Sequence, residues 1–221
     1  MARDTSVAWF NEETNEVHTP KGRLVYPNLL TPKGIKDDPS SKPKFGLTLL
    51  IPKGANFDAL KKLAGDAATE KFGAKRPAKL RSPFLKTEDQ ERLRDLAAEF
   101  PVLIRPSANT DFPPFIFGPD AKRHTGDASD IYGGRWAICT VRAYGYDTAG
   151  NKGVAFGLQR VQLLDHDEPI GGGRIETASG FDAVAVKGGK ATASDMFDDG
   201  ANATPKAAGA KDLGLDDEIP F

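Results

Sequence analysis

Two runs of alternating residues lie back to back between Gly134 and Leu164, and they constrain the fold more than any other part of the chain. In the first, Trp136, Ile138, Thr140, Arg142, Tyr144 and Tyr146 share one face of a strand. Ala137, Cys139, Val141, Ala143 and Gly145 share the other. The polar residues Asp147 to Lys152 form a turn containing Gly150-Asn151. Gly153 to Leu164 returns as a second strand, with Val154, Phe156 and Leu158 on one face. The apolar parity then moves to Val161 and Leu163, which predicts a β-bulge or a sharp corner. Two such strands joined by a short polar turn form an antiparallel hairpin, so a mainly β chain is expected.

The stretches before the hairpin supply more strands and some helix. Residues 1–16 read as an arm or a first edge strand. Gly22-Arg23-Leu24-Val25-Tyr26 is a strand candidate stopped by Pro27, and Thr31 to Pro43 is a proline- and serine-rich loop. Lys44 to Ile51 alternates Phe45, Leu47, Leu49 and Ile51 against Lys44, Gly46 and Thr48. Asn56 or Asp58 is placed to start a helix that runs to about Phe72 and stops at Gly73. Thr87 and Gln90 have capping-box spacing, which predicts a second, short helix from Thr87 to Phe100. Val102 to Arg105 is a third strand candidate before the hairpin. Residues 106–119 are rich in proline and aromatics, and 120–130 are polar. Beyond Ile170 the chain turns to glycine, small residues and acids, so 171–221 reads as a flexible tail.

A chain of 221 residues holds one sizeable core plus tails, or two small domains. No run approaches the ~20 apolar residues of a membrane helix, and no signal peptide is read at the start. Cys139 is the single cysteine, which excludes an internal disulfide framework and implies a reducing, cytoplasmic setting; on the small-residue face it is expected to be an inert core thiol. Residues 191–221 hold two cations and seven acids, a net charge of −5. The other 190 residues hold 28 cations and 24 acids, a net charge of +4. A mildly basic body with an acidic tail suits a polyanion on one part and something else on the other.

No catalytic set emerges. His18, His124 and His166 are scattered, Asp165-His166-Asp167-Glu168 reads as a solvated turn, and Gly171-Gly172-Gly173 does not sit between a strand and a helix. His124 with Asp127 and Asp130 could be drawn as a metal site, but a polar loop is the plainer reading. Neither an enzyme, a cofactor nor a metal is expected. What remains is rings interleaved with cations. Trp136, Arg142, Tyr144 and Tyr146 share a face on which unstacked bases could stack. Lys42 and Lys44, the run Lys75, Arg76, Lys79 and Arg81, and Arg105 and Arg135 could follow phosphates. The same rings also suit cross-strand packing, and the pattern alone leaves both readings open.

The last nine residues, Leu213 to Phe221, have the form of a hook. Asp216, Asp217 and Glu218 keep it in water, Pro220 keeps it extended, and Ile219 and Phe221 offer two apolar anchors. This end resembles the C-terminal tip of bacterial single-stranded DNA-binding proteins, which recruits replication and repair partners. The body carries a second resemblance. Arg23 to Leu29, Lys44 to Lys53, Ile131 to Trp136, and Tyr144-Gly145-Tyr146 through Asn151 to Gln162 are similar, in order, to phage-encoded single-stranded DNA-binding proteins with an OB fold.

The resemblance implies a mainly β, OB-fold-like five-stranded barrel with inserted α-helices over 17–170, behind an arm at 1–16 and ahead of the tail at 171–221. It implies sequence-tolerant binding of single-stranded DNA in replication or recombination, without catalysis, in the host cytoplasm if the chain is phage-encoded. The tip would recruit replication or recombination proteins, and self-association is compatible with it. Two other readings stay open: a strand-annealing mediator that also holds duplex, and a protein–protein adaptor that binds no nucleic acid.

Overall fold

The computed structural model describes residues 3–34, 42–73, 77, 79–148 and 151–170. The tail, its tip, Lys75 and Arg76 lie outside the described residues. Ten strands run in chain order: β1 (Trp9–Asn11), β2 (Glu16–His18), β3 (Gly22–Lys33), β4 (Lys44–Ile51), β5 (Phe84–Lys86), β6 (Val102–Ile104), β7 (Ser107–Asn109), β8 (Phe115–Phe117), β9 (Trp136–Thr148) and β10 (Asn151–Leu163). The helix α1 (Asp58–Phe72) sits between β4 and β5. The mainly β architecture is as expected.

Five strands close a ring. β9 pairs with β10, β10 with β7, β7 with β4, β4 with β3, and β3 with β9. The inward residues of the hairpin are those the alternation assigns: Ala137, Cys139 and Val141 from β9, and Val154, Phe156 and Leu158 from β10, all buried. They meet Leu24 of β3 and Leu47, Leu49 and Ile51 of β4 in one core. Burial pushes the Cys139 thiol far up, so it is an inert core group, as expected. The bulge is also where the parity shift puts it, between Leu158 and Arg160.

α1 lies over one part of this core. Asn56 accepts the Asp58 amide at 2.9 Å, and Gly73, at φ 59°, sends its amide to the Thr69 carbonyl at 2.8 Å. The buried stripe is Leu60, Ala64, Ala67 and Ala68. Its small side chains let the helix approach β9 so closely that a Cβ on Gly145 would sit 3.2 Å from the Ala67 carbonyl oxygen and collide with the Lys71 stem.

Two expectations need correction. The strand begun at Gly22 does not stop at Pro27 but runs to Lys33. Pro27 has no N–H for the ladder, so the register slips between Val25 and Asn28, with Tyr26 at φ 50°, and pairing then resumes. The Thr87–Phe100 segment is not an α-helix. It forms two 3-10 segments, Thr87–Asp89 and Glu91–Leu96, divided at an extended Gln90, and Thr87 makes no side-chain cap bond. Packing overrides propensity here, because the segment buries Leu93 and Phe100 against Val25, Leu50 and Leu103 in a second core on the outside of β3, β4 and β6. The strand read over Val102–Arg105 forms as β6; it pairs with β4 and β5 outside the ring, and within the ring Ser107–Asn109 pairs with β4 and β10 instead.

The turn read at Asp165–Glu168 is a clasp. The Arg23 guanidinium donates to the Gly134 carbonyl, to Asp167 Oδ2 at 2.7 Å and to the Glu168 carbonyl at 2.6 Å. Trp136 Nε1 donates to the same carboxylate at 2.7 Å, and the Ile170 amide reaches the Gly133 carbonyl at 2.8 Å. Arg23 thus ties β3, the start of β9 and the end of β10 together. Replacing Arg23 with Ala leaves the Gly134 and Glu168 carbonyls without donors, an expected loss of about 1–3 kcal/mol. The urea midpoint should fall accordingly, and an unchanged midpoint would show that the clasp is dispensable.

Candidate nucleic-acid interface

Outward from the ring, β9 presents large groups where β10 presents almost none. Tyr146 lies opposite Gly153, Tyr144 opposite Ala155 and Arg142 opposite Gly157. Directly opposed residues of an antiparallel pair point to the same face. Both rings lean over this glycine-rich strip. A Cβ on Gly153 would meet the Tyr146 hydroxyl at 2.7 Å, and one on Gly157 would meet Tyr144 Cε1 at 3.8 Å. Tyr144 remains 45% exposed. Partial burial of its hydroxyl, then the neighbouring Tyr146, hold the Tyr144 phenol above its ordinary value. The Tyr144 phenol therefore stays neutral and uncharged toward a polyanion at physiological pH.

The row continues across the ring. Gly157 pairs with Ser107, and Ser107 with Gly46. From Arg142 the outer surface therefore runs over three residues with little or no side chain. Two residues from Gly46 on the same face of β4 stands Lys44, exposed and opposite Asn109. At the other end, the Arg81 amide donates to the Lys152 carbonyl at 2.9 Å and its carbonyl accepts from the Val154 amide at 3.0 Å. That fixes Arg81 beside Gly153 and the Tyr146 hydroxyl. The result is a shallow track with rings along one side and Arg81, Arg142 and Lys44 around it, a form suited to bases stacked on rings and phosphates near cations.

A carboxylate organises the middle of the track. Glu16, only 6% exposed, accepts from Arg142 Nη2 at 3.3 Å and from Arg160. Arg142 Nη2 also donates to the Thr14 carbonyl at 3.0 Å. A buried carboxylate needs such partners to remain charged. In return it fixes two guanidinium groups on the outer face, one of which, Arg142, is largely exposed.

The family model described as the ssDNA-binding protein of Enterobacter phage Enc34 matches residues 15–197. The chain belongs to this family. Among solved structures, the single-stranded DNA-binding protein from bacteriophage Enc34 in complex with ssDNA is similar at a TM-score of 0.61 and 21% identity, over 77% of this chain and 96% of that one. A second structure of the single-stranded DNA-binding protein from bacteriophage Enc34 gives 0.59 and 22%, over 82% and 97%. The single-stranded DNA binding protein gp2.5 of bacteriophage T7 gives 0.53 and 13%, over 68% and 92%. These likenesses concern the fold. No curated protein matches the sequence.

In this Enc34-family chain, the other residues singled out from sequence fall in several places. Arg135 is buried at 4% exposure, and its guanidinium donates to the Leu164 and Asp130 carbonyls, so it is a structural group and not a surface cation. Trp136 sits eight residues from Tyr144, ~27 Å along the strand. It packs on Phe100, with Arg23 and Lys21 against its ring. The structure does not bring it to the tyrosines. Arg105 is exposed and bonded to Gln90 at 2.6 Å, and Lys42 and Lys79 are exposed. His124 and Asp130 lie 3.9 Å apart while Asp127 caps the turn at Ala128–Asp130; among the described residues no three such side chains converge as metal ligands would. No helix among them is long and apolar enough to cross a membrane.

The β1–β2 hairpin carries a stack that sequence reasoning missed. Arg3 lies 3.5 Å over the Trp9 ring, which stacks on His18 at 3.9 Å. His18 Nε2 is buried without a hydrogen-bond partner. Burial first, then the Arg160 charge, depress the His18 pKa to about 4. A histidine depressed on folding binds its proton more tightly when unfolded. Its contribution to stability is therefore complete above pH ~6.5 and is lost as pH falls toward 4. The depressed carboxylates Asp165 and Asp167 act below that window, since they start from 3.8 and move down. In His18→Phe, which keeps a ring under Trp9, the fall in melting temperature between pH 6.5 and 4.5 should shrink. A fall as steep as in the parent would exclude His18 as its source.

Proposed function

We propose that the chain binds single-stranded DNA without sequence preference and without catalysis. Bases stack on Tyr144 and Tyr146, and phosphates meet Arg142, Arg81 and Lys44. The observation that carries this is the pairing of Tyr144 and Arg142 with Ala155 and Gly157, which leaves ring surface and backbone accessible together on a cation-bordered face, with Tyr146 leaning over Gly153 beside it. Membership of the Enc34 family supports the same reading. Lys75 and Arg76, between α1 and Arg81 in the chain, add cationic charge to the same reading.

The division of labour extends to the tail. Residues 171–221 act as an acidic tether, and Asp216, Asp217, Glu218, Ile219, Pro220 and Phe221 recruit replication or recombination proteins. The acids also compete with DNA for the basic face, so the tail lowers DNA affinity in the absence of a partner. In this reading the chain acts on exposed strands in the cytoplasm, that of the host cell if it is phage-encoded.

Two measurements check the reading. Tyr144→Ala and Tyr146→Ala should each weaken binding of a labelled single strand by about 1–3 kcal/mol, roughly 5- to 150-fold, and equally across sequences. Unchanged affinity in folded variants would move the site to another face. Deleting residues 213–221 should leave or raise DNA affinity while abolishing partner binding; a large loss of affinity would overturn the assigned role of the tip.

A further inference from the structure

A second pair of exposed rings stands on the same face as the tyrosines. Phe112 is 75% exposed and Phe115 is 49% exposed, which is unusual for phenylalanine in a chain with two well-filled cores. β8 pairs in parallel with β10, Phe115 beside Arg160 and Ile116 beside Val161. Ile116 and Val161 point into the core, so Phe115 and Arg160 point out. Phe112 is held by its amide, which donates to the Asn109 carbonyl at 3.1 Å, and by Pro113-Pro114, of which Pro114 is buried. Two prolines in a row restrict the backbone and keep the rings in place at little entropic cost.

The surroundings are cationic. The Arg123 guanidinium lies 4.7 Å from the centre of the Phe115 ring. Phe112, Phe115, Arg123, Gln159 and Arg160 line a groove of about 380 Å³. Two acids also line it: the Glu16 charge is taken up by Arg142 and Arg160, and Asp111 stands beside Phe112. The groove continues the tyrosine track directly. Gly153, under Tyr146, and Arg160, beside Phe115, belong to one strand, seven residues or ~23 Å apart.

We propose that Phe112 and Phe115 form a second base-stacking station for the same DNA strand, with Arg160 meeting phosphates between it and the tyrosines and Arg123 meeting them at the Phe115 ring. This rests on the single-stranded DNA reading of the β9–β10 face and extends it. Charge complementarity and continuity with the tyrosine track select a nucleic-acid strand as the occupant, and aromatic stations spaced along a groove are how sequence-tolerant binders hold one. The site is then longer than the hairpin face alone, and affinity rises with strand length until both stations are filled.

The test is a ladder of oligothymidines of increasing length, titrated against the full chain, the Phe112→Ala/Phe115→Ala double variant and Tyr144→Ala. Both phenylalanines are exposed, so the double variant should fold. It is expected to bind the shortest oligomers like the parent, because they fill the tyrosine station alone. It should lose the parent's gain with length, ending about 5- to 150-fold weaker on long strands. Tyr144→Ala should be weaker at every length. A double variant that matches the parent at all lengths, while Tyr144→Ala is weakened, overturns the second station and leaves the tyrosine face standing. If Tyr144→Ala also matches the parent, the reading of the whole face falls. If the double variant keeps its DNA affinity but loses self-association by sedimentation, the rings belong to a protein interface and the proposal is overturned.

Discussion

One bulge between Leu158 and Arg160 decides which side chains the long β9–β10 pairing turns outward. Before it, β10 places Val154, Phe156 and Leu158 in the core and Gly153, Ala155 and Gly157 outside. After it, Val161 and Leu163 are the core residues and Arg160 and Gln162 face out. With uninterrupted alternation Arg160 would fall in with Leu158, a buried cation in an apolar core. The extra residue instead sets Arg160 beside Glu16 and opposite Thr140, and it brings Phe115 alongside. The floor under the tyrosines and the cation-lined groove next to it are thus two phases of one strand. The bulge is what allows both to face the same way.

Glu16 converts that placement into fixed geometry. Val17 of β2 enters the core opposite Val141, so Glu16 before it must face out, across the row that holds Arg142. Removing either guanidinium group, that of Arg142 or of Arg160, would leave a shielded carboxylate short of a partner, which is costly. Each of those groups, in turn, loses conformational freedom before any ligand arrives. Arginines held in advance surrender less entropy when they meet a phosphate than free surface lysines do. The third arginine of this kind, Arg23, plays the opposite part. Its donors are consumed by the clasp, and its charge serves closure of the ring and not recognition.

The fold was legible where period-2 alternation was clean. Both faces of β9, the parity shift of β10, the apolar face of β4 and the limits of α1 follow from spacing alone, because burial on one side leaves a mark every second or every fourth residue. It was not legible where burial is two-sided or where pairing skips a residue. Leu50 and Thr48 are buried because a second core covers the outer side of β4, and no local pattern announces that cover. β3 passes through Pro27 because a register slip removes the need for its missing donor. The site shows the same division. Tyr144, Tyr146 and Arg142 stand out from alternation; the structure sets Arg81 beside Tyr146, and Lys44 lies farther off, across β10 and β7 on β4. Arg135 and Trp136 carry the right chemistry for an interface but are committed to the clasp end, Arg135 by the Asp130 and Leu164 carbonyls and Trp136 by Asp167, Arg23, Lys21 and Phe100. Phe112 and Phe115 sit in a proline-rich loop and a three-residue strand, too short for any periodicity to mark them.

The glycines on the hairpin separate folding needs from surface needs. Gly145 is required by the approach of α1, and Gly153 by the Tyr146 hydroxyl and the Arg81 backbone. Gly157 is different. A Cβ there would find its nearest atoms at 3.6 to 3.8 Å, ordinary contact distances, and the residue has no left-handed backbone to explain it. A glycine inside a strand costs about 0.5–1 kcal/mol relative to alanine, so the fold alone favours a side chain at this position. What a side chain would take away is the open strip between Tyr144, Arg142 and Ser107, where a ligand can lie against the strand itself. Stability argues against Gly157 and the proposed track argues for it. Its presence at the centre of the row, beside Tyr144 and the fixed Arg142 guanidinium, has no packing reason, and the proposed track supplies a reason for it.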